Sequence, residues 1–252
     1  MITLKSQAEA EKMRAAGKLV GGAIREMGNA VAPGVTTAEL NDIGERYLIA
    51  RGAQPSFKGY RGYSHAVCVS VNEEVVHGIP SDRKLVEGDI VSVDIGAFLD
   101  GYHADAAWTF PVGAVSSEVQ RLLNVTKECL FQGIAQAKAG KTIGDISAVV
   151  QAYAERNGYS VVRDLTGHGI GKNLHEEPSV PNFGRPGSGP KLRAGMTICI
   201  EPMINLGKYQ VITLEDGWTV VAKDRKPAAH FEHTVLVTDG AADILTLPDQ
   251  GG

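Results

Sequence analysis

Hydrophobic and polar positions divide the chain into helix-like stretches and short apolar strands, in an order that occurs twice. Four polar pairs have the capping-box spacing that opens a helix, namely Ser6 with Glu9, Thr36 with Glu39, Ser117 with Gln120, and Thr142 with Asp145. Turn residues then close each helical stretch, namely Pro33-Gly34, Gly52, Gly140 and Asn157-Gly158. The sequence therefore predicts two helices at the start of each half, with strands after them.

The two halves also align with each other. Two segments of the first half match two of the second, residues 33–40 with 139–146 and residues 85–96 with 192–203. Short glycine-rich loops can match by chance, but the two offsets differ by one position and the second match places Asp94 on Glu201. A duplicated α+β unit with a pseudo-twofold axis is predicted, with halves of about residues 1–113 and 114–252 in one single domain, 1–252, and a cleft between them.

Acidic residues occupy apolar strands of this pattern. The segment DIVSVDIGAF is rich in β-branched residues and predicts a strand, and Asp100-Gly101 predicts a two-residue hairpin turn. The register that this turn imposes makes Asp105 the diagonal neighbour of Asp94 on one face of the hairpin. Glu201 ends a second apolar strand, and Glu232 is predicted to lie within a third.

These four carboxylates together predict a metal site. Any one of them is equally compatible with a surface position or a salt bridge. Four in core-like strands need cations, because two carboxylates about 4 Å apart repel by about 4 kcal/mol at an effective dielectric of 20. Two divalent ions would balance four carboxylates, and an imidazole would complete one shell.

Composition narrows the partners. A chain of 252 residues that is 43% hydrophobic can bury a substantial core. Its formal charge of −4 leaves no basic surplus for nucleic acid, and its start lacks the apolar segment of a signal peptide. Three scattered cysteines are too few for a disulfide framework. We expect a cytoplasmic monomer with no DNA partner and no membrane partner.

Histidines in two glycine-rich segments are further candidates. TGHGIGKNLHEEP carries His168 between glycines, in a predicted loop that approaches a ligand closely, and His175 seven residues later. His77 in VVHGIP is at a similar place in the first half, so His77 and His175 are expected to face each other. Alone, either histidine is more typical of an ordinary polar loop residue than of a catalyst. The other histidines are expected to be structural, namely His65, His103, His230 and His233.

The candidate ligands occur in the order Asp94, Asp105, His168, Glu201, Glu232, within VNEEVVHGIP, SVDIGAFLDGYHADAAWTF, TGHGIGKNLHEEP, ICIEPM and DGWTVVAKDRKPAAHFEHT. On these motifs almost the whole chain resembles the pita-bread metallopeptidases, and most closely the type I methionine aminopeptidases. The resemblance implies a pita-bread fold, with duplicated helix-helix-strand halves around a central antiparallel sheet. It also implies two divalent metal ions, Mn, Fe, Co or Zn, as cofactors.

The resemblance assigns a role to each ligand. Asp105 and Glu232 would bridge the ions, Asp94 would serve one of them, and His168 with Glu201 would serve the other. A water or hydroxide between the ions would attack the scissile carbonyl, and Glu201 would handle its proton.

The resemblance also implies how substrate is bound. His77 would contact the substrate amine or scissile nitrogen, and His175 would stabilise the developing oxyanion. The methionine pocket would draw on four residues that are equally compatible with ordinary core packing, namely Tyr60, Tyr63, Cys68 and Trp218. Leu174 stands where relatives often have an aromatic residue, so the pocket shape is expected to differ. Asn72 and nearby carbonyls are expected to bind a monovalent cation.

The function implied is removal of the N-terminal methionine from nascent proteins whose second residue is small, with the ribosome as a candidate partner. The first alternative is an Xaa-Pro aminopeptidase or dipeptidase of the same fold. Such relatives usually carry a large extra N-terminal domain, and we expect none before Ser6. The second alternative is a non-catalytic binding protein or metal-free enzyme of this fold, but such relatives have lost ligands that this chain retains.

Overall fold

The computed structural model describes residues 2–247, which form a mixed fold of helices and antiparallel strands. The helices are α1 (Gln7–Ala30), α2 (Thr37–Ile49), α3 (Ser117–Gln136) and α4 (Ile143–Arg156). The first half of the chain contains strands β1 (Gln54–Pro55), β2 (Val67–Val71), β3 (Glu74–Val76), β4 (Ile90–Leu99) and β5 (Tyr102–Pro111). The second half contains strands β6 (Ser160–Val161), β7 (Thr166–Gly169), β8 (Glu176–Pro181), β9 (Thr197–Ile200), β10 (Met203–Asn205), β11 (Val211–Thr213), β12 (Val220–Ala222), β13 (Ala228–His230), β14 (His233–Leu236) and β15 (Asp243–Ile244).

Three of the four predicted helix starts are confirmed as reciprocal capping boxes, at the N-termini of α1, α2 and α4. The predicted start of α3 is wrong by one residue. Ser116 is the N-cap, because it has the extended backbone that a cap requires and its hydroxyl accepts from Val119 N at 3.2 Å. Ser117 is already helical, and the Gln120 side chain donates to Asn124 instead of closing a box.

The strands form four sheets, and every strand pair is antiparallel. Their strand orders are β1-β4-β2 with β5 paired to β4, β13-β10-β6, β11-β12-β3, and β15-β14-β9-β7-β8. The second half repeats local features of the first. Gly34 (φ 94°) and Gly140 (φ 91°) both end a turn in the left-handed region, and each half has the same isolated bridge, Thr36 with Lys84 and Thr142 with Lys191. The duplicated α+β pita-bread fold is confirmed.

Among residues 2–247, two smaller hydrophobic clusters combine residues of both halves, and the two largest cores fill one half each. One is built from residues between Ala16 and Val112, and the other mainly from residues between Leu122 and Val237. Trp108 packs against both cores and therefore lies at their junction. No helix within residues 2–247 is long and apolar enough to cross a membrane.

Both ends of the described chain cross to the opposite half. Residues 2–6, here called the N-terminal strap, lie against the second half, where Ile2 packs on the core and Lys5 N donates to Gly195 O at 2.7 Å. Near the other end, Asp243 accepts from the Arg14 guanidinium of α1 at 3.1 Å. The helix that follows the strap is thus held by both halves.

Candidate metal centre

The β4–β5 hairpin places the first two acids. Leu99 pairs with Tyr102 across the turn, so Asp105 is the diagonal neighbour of Asp94, as the sequence predicts. The turn residues Asp100 (φ 50°) and Gly101 (φ 85°) both have positive φ, which a tight two-residue hairpin turn requires. The register of one hairpin therefore brings two carboxylates to the same face of its sheet.

Glu201 and Glu232 lie where a second pair of strands is interrupted. β9 and β10 are separated by Glu201-Pro202, and β13 and β14 by Phe231-Glu232. The strands on either side still pair, β10 with β13 and β9 with β14, so the two breaks face each other. The prediction that Glu232 lies within a strand is therefore wrong. Pro202 has no N–H for the ladder, and Glu232 N donates at 2.9 Å to Ala107 O of the first half instead.

That hydrogen bond is part of a seam between the halves. The Thr234 hydroxyl donates to Asp105 O at 2.8 Å and accepts from Asp105 N at 3.0 Å. Four residues further along β5, Thr109 and His230 exchange a similar pair of hydrogen bonds, at 2.7 and 3.0 Å. The outer edge of β5 is thus joined to residues 230–234, and the acids of the two halves meet there.

The prediction that His168 lies in a loop is wrong, because His168 lies on strand β7. The ladder between β7 and β8 shifts register between Gly167 and Gly169, so His168 stands at an irregularity. Its Nδ1 is 2.9 Å from Gly169 O, and because a carbonyl can only accept, Nδ1 carries the proton. Nε2 therefore has a free lone pair, 3.9 Å from Asp105 Oδ2 and 3.7 Å from Glu201 Oε1.

Burial and mutual repulsion determine the charge states of the four acids and of His168. Burial raises the pKa of Asp94, and the neighbouring carboxylates of Asp105 and Glu201 raise it further. Burial likewise raises the pKa of Asp105 to about 7 and raises the pKa of Glu201 and Glu232. Burial lowers the pKa of His168 to about 4, so its ring is neutral at neutral pH. A bound cation would reverse the effect on the acids and would accept the imidazole lone pair.

Unpaired oxygen atoms test whether a cation fits. Asp94 Oδ1, Asp105 Oδ1 and Glu232 Oε1 are buried without a hydrogen-bond partner. Ligand atoms of Asp105, His168, Glu232 and Cys199 lie within 4.8 Å of one another. Burial raises the pKa of the Cys199 thiol well above its usual range, so the thiol keeps its proton. The oxygen-rich remainder fits a divalent cation, and this chain provides a candidate divalent-metal site.

A cavity of about 330 Å³ opens onto these acids. Its lining includes every predicted divalent-metal, catalytic and methionine-pocket residue, namely Asp94, Asp105, His168, Glu201, Glu232, His77, His175, Tyr60, Tyr63, Cys68 and Trp218. It also includes His230, which was predicted to be structural. His230 Nε2 is buried and has no hydrogen-bond partner. The pattern HFEH alone gave no signal for His230. The hydrogen bonds of its backbone to Thr109 place it at the cavity.

The two loop histidines are held in different ways. His77 follows β3 with φ 60°, a left-handed conformation that costs a non-glycine residue energy and that is common at functional sites. Gly78 next to it is fixed by its N–H to Ser70 Oγ at 3.0 Å. His175 Nδ1 lies 2.9 Å from the Tyr60 hydroxyl, and its ring packs 4.1 Å from that of His168, centroid to centroid. Burial lowers the pKa of His175 to about 3, so this ring is also neutral.

Cys68, Tyr63 and Trp218 form the wall of the cavity next to the acids. Cys68 pairs directly with Asp94 across β2 and β4, so it faces the cavity beside that carboxylate. The Tyr63 hydroxyl donates to Val67 O at 3.0 Å, and its ring meets Trp218 edge to face at 5.0 Å. This wall combines an apolar surface with one sulfur atom, which suits an unbranched thioether side chain.

Asn72 is already engaged within the protein. Its side chain donates to Asp89 at 2.8 Å and accepts from Ile90 N at 3.0 Å, and its carbonyl accepts from Ala228 N at 2.9 Å. A monovalent cation here would have to use the second lone pair of Asn72 Oδ1 or of nearby carbonyl oxygens. The monovalent site stays a prediction.

Several known proteins are similar to this chain in sequence and in fold. Residues 11–239 match the model of metallopeptidase family M24. The chain is 51% identical to a methionine aminopeptidase of Clostridium perfringens, over 98% of this chain and 99% of the other. It is similar to the crystal structure of methionine aminopeptidase from Thermotoga maritima, with TM-score 0.96 and 47% identity over 98% and 99% of the two chains. A prolidase from Pyrococcus furiosus, 23% identical over 96% of this chain and 65% of its own, shares the fold alone, with TM-score 0.79. The chain therefore belongs to metallopeptidase family M24 and, within it, to the methionine aminopeptidases.

Proposed function

We propose that this chain, a metal-dependent aminopeptidase, removes the N-terminal methionine from nascent proteins whose second residue is small. The observation that carries the proposal is a set of buried carboxylates and one neutral imidazole on a cavity wall, where three carboxylates keep an oxygen without a partner. Relatives named methionine aminopeptidases, 51% identical over nearly the full length, support the choice of substrate.

Two divalent ions, Mn, Fe, Co or Zn, would be held by Asp94, Asp105, His168, Glu201 and Glu232. The assignment of Asp105 and Glu232 to both ions is supported by the position of Asp105, which lies beside Asp94 on the hairpin and 3.9 Å from His168 Nε2. Ions bound there supply Lewis-acid polarisation of a carbonyl and lower the pKa of a water molecule.

Side chains of the chain itself would move the proton and hold the substrate. Glu201, whose Oε1 lies 3.7 Å from His168 Nε2, would accept and return the proton of the attacking water. We take Tyr60 as the donor to His175 Nδ1, which leaves the proton of the neutral ring on Nε2, where it can be donated to an oxyanion. His77 would contact the substrate amine or scissile nitrogen. The methionine side chain would lie against Tyr60, Tyr63, Cys68 and Trp218, with Leu174 completing the wall.

The domain organisation, the oligomeric state and the location of the enzyme belong to the same proposal. We propose a single catalytic domain, residues 1–252, whose halves of about 1–113 and 114–252 are supported by the two separate cores. A monomer suffices, because every proposed site residue comes from one chain. Nascent chains place the enzyme in the cytoplasm with the ribosome nearby, and three free cysteines are compatible with a reducing compartment.

Peptide assays with defined metals test this function. Chelator-treated protein reloaded with Mn, Fe, Co or Zn is given Met-Gly-Ser-Met, Met-Leu-Ser-Met and Ala-Pro-Ala. We expect methionine release from the first peptide only. Release of alanine alone would favour an Xaa-Pro peptidase, and no release with any metal would refute the proposal.

Two variants test a proposed metal ligand and the proposed proton transfer, with bound metal and methionine release measured for each. His168→Ala is expected to bind less metal, whereas Glu201→Gln is expected to lose most of its rate. Asp145→Asn is the matched control, because Asp145 caps α4 outside the cavity and should leave the rate unchanged. Full activity of Glu201→Gln would refute the proposed proton transfer.

A further inference from the structure

A buried ion pair links the N-terminal strap to the residue that follows His175. Lys5 Nζ lies 2.7 Å from Glu176 Oε2, and the two side chains are only 4% and 12% exposed. Burying such a pair costs desolvation energy, and an apolar pair of the same size is often as stable. The position of this pair beside the His175 loop therefore suggests a task other than stability.

We propose that Lys5 and Glu176 are positioning residues for His175. This inference rests on the function proposed above, in which His175 stabilises the oxyanion. The ion pair would fix residues 171–176, the loop that presents the His175 ring to the cavity. The N-terminal strap would then be part of the support of the active site, although it lines no part of the cavity.

The loop is folded around the Glu176 carboxylate. Its Oε2 bonds Lys5, while its Oε1 accepts from Asn173 N at 3.1 Å. Gly171 N in turn donates to Asn173 O at 3.0 Å. A Cβ on Gly171 would lie 2.7 Å from both Lys5 Nζ and Glu176 Oε1, so the backbone turns directly over the pair. The Glu176 carboxylate therefore holds both Lys5 and Asn173, and Asn173 in turn holds Gly171.

Lys5 is itself fixed in place. Its backbone N–H donates to Gly195 O at 2.7 Å, and Gly195 has φ 91°, so the strap is tied to a tight turn of the second half. At the other side of the loop, His103 N donates to Gly171 O at 2.8 Å. Without the Lys5 ammonium, the Glu176 carboxylate would be left buried and unpaired, and the loop would have to move to hydrate it.

Steady-state kinetics of Lys5→Met test the proposal. A shift of a catalytic group by about 1 Å can cost on the order of 100-fold in rate, so we expect kcat on Met-Gly-Ser-Met to fall by about 10- to 100-fold. KM and bound metal should stay nearly constant, because an oxyanion donor acts in the transition state. Lys5→Arg should restore most of kcat.

Arg14→Met is the matched control. Arg14 also ties α1 to the second half through an ion pair, with Asp243, and none of its recorded side-chain hydrogen bonds reaches residues 171–176. We expect this variant to lower the melting temperature and leave kcat unchanged. An equal loss of kcat in Arg14→Met and Lys5→Met would overturn the proposal, because both losses would then be general effects of stability.

A double-mutant cycle with His175→Ala shows whether Lys5 acts through His175. We expect Lys5→Met to add almost no loss of kcat in the His175→Ala background, and additive losses would overturn the proposal. Full activity of His175→Ala would also overturn it, while methionine release by the unmodified enzyme would still support the proposed function. Glu176→Gln, which keeps an acceptor for Asn173 N, is the second variant if Lys5→Met does not fold. An unchanged kcat in folded Glu176→Gln would overturn the proposal.

Discussion

Replacement of Thr234 by valine tests whether the seam between the halves holds the metal centre. Thr234 is fully buried, and its hydroxyl both donates to Asp105 O at 2.8 Å and accepts from Asp105 N at 3.0 Å. Valine has almost the same shape without the hydroxyl. The variant therefore leaves two backbone groups of a proposed metal ligand buried without partners.

The expected cost follows from those two groups. Each buried polar group that loses its partner costs about 1–3 kcal/mol, and partial relaxation brings the expected total to roughly 3 kcal/mol. For a domain of this size, about 2–4 °C per kcal/mol corresponds to a fall in melting temperature of roughly 6–12 °C. Loss of an interaction that orients a ligand typically lowers metal affinity by about 10- to 100-fold. Stability and metal binding should therefore fall together.

Urea unfolding of chelator-treated protein measures the first effect without the contribution of bound metal. Calorimetric titration with Mn²⁺ or Co²⁺ measures the second. Thr234→Ser is the control, because it keeps the hydroxyl and loses one methyl group, at about 1 kcal/mol. If Thr234→Val were as stable as Thr234→Ser and bound metal equally well, the seam would not support the site.

Three further predictions concern parts of the chain outside the metal centre. A Cβ at Gly17 would overlap the carbonyl of Leu245, so Gly17→Ala should lower the free energy of unfolding in urea by about 1–3 kcal/mol. Gly22→Ala should lower it less, because the Cβ at Gly22 meets only the end of a tyrosine side chain, which can move aside. A hydrogen bond from a tyrosine hydroxyl, together with capping contacts, lowers the pKa of Glu9 from 4.5 to about 2. Its stabilisation is present above pH 4.5 and is lost as the pH falls through about 2, so the stability difference between the unmodified protein and Glu9→Gln in urea unfolding should shrink over that range. Burial raises the pKa of Cys129 to about 12, so a thiol reagent at about pH 8 should label it only after unfolding, and rapid labelling of native protein would contradict its burial.

The sequence predicts the first-half acids well because local rules determine their positions. An Asp-Gly turn sets the register of the hairpin, and the register alone determines that Asp94 and Asp105 share a face. Three capping boxes are equally local, and the structure contains each of them. Adjacent serines at the start of α3 defeat the same rule, because either can cap and only the backbone conformation decides between Ser116 and Ser117.

Long-range contacts determine what the sequence pattern misses. The segment HFEHTVLVT has the composition of one continuous strand, yet it breaks at Phe231-Glu232 because the opposing strand breaks at Pro202. The same contacts bring His230 to the cavity wall and Cys199 to the acid cluster, although neither has a sequence signal. These residues can be assigned to the site only when the pairing of chain segments far apart in sequence is known.

The interruption of the second-half strands explains why the site and the joint between the halves coincide. In a regular ladder, Glu232 N would donate to the opposing strand of its own sheet. The break leaves this N–H free to donate to Ala107 O of β5 instead. Two residues later, the Thr234 hydroxyl donates to Asp105 O, which is also on β5. The irregularity that turns two acids toward the cavity thus also provides the hydrogen bonds that join the halves. A substitution that repairs the ladder should therefore disturb the metal centre even where it adds backbone hydrogen bonds.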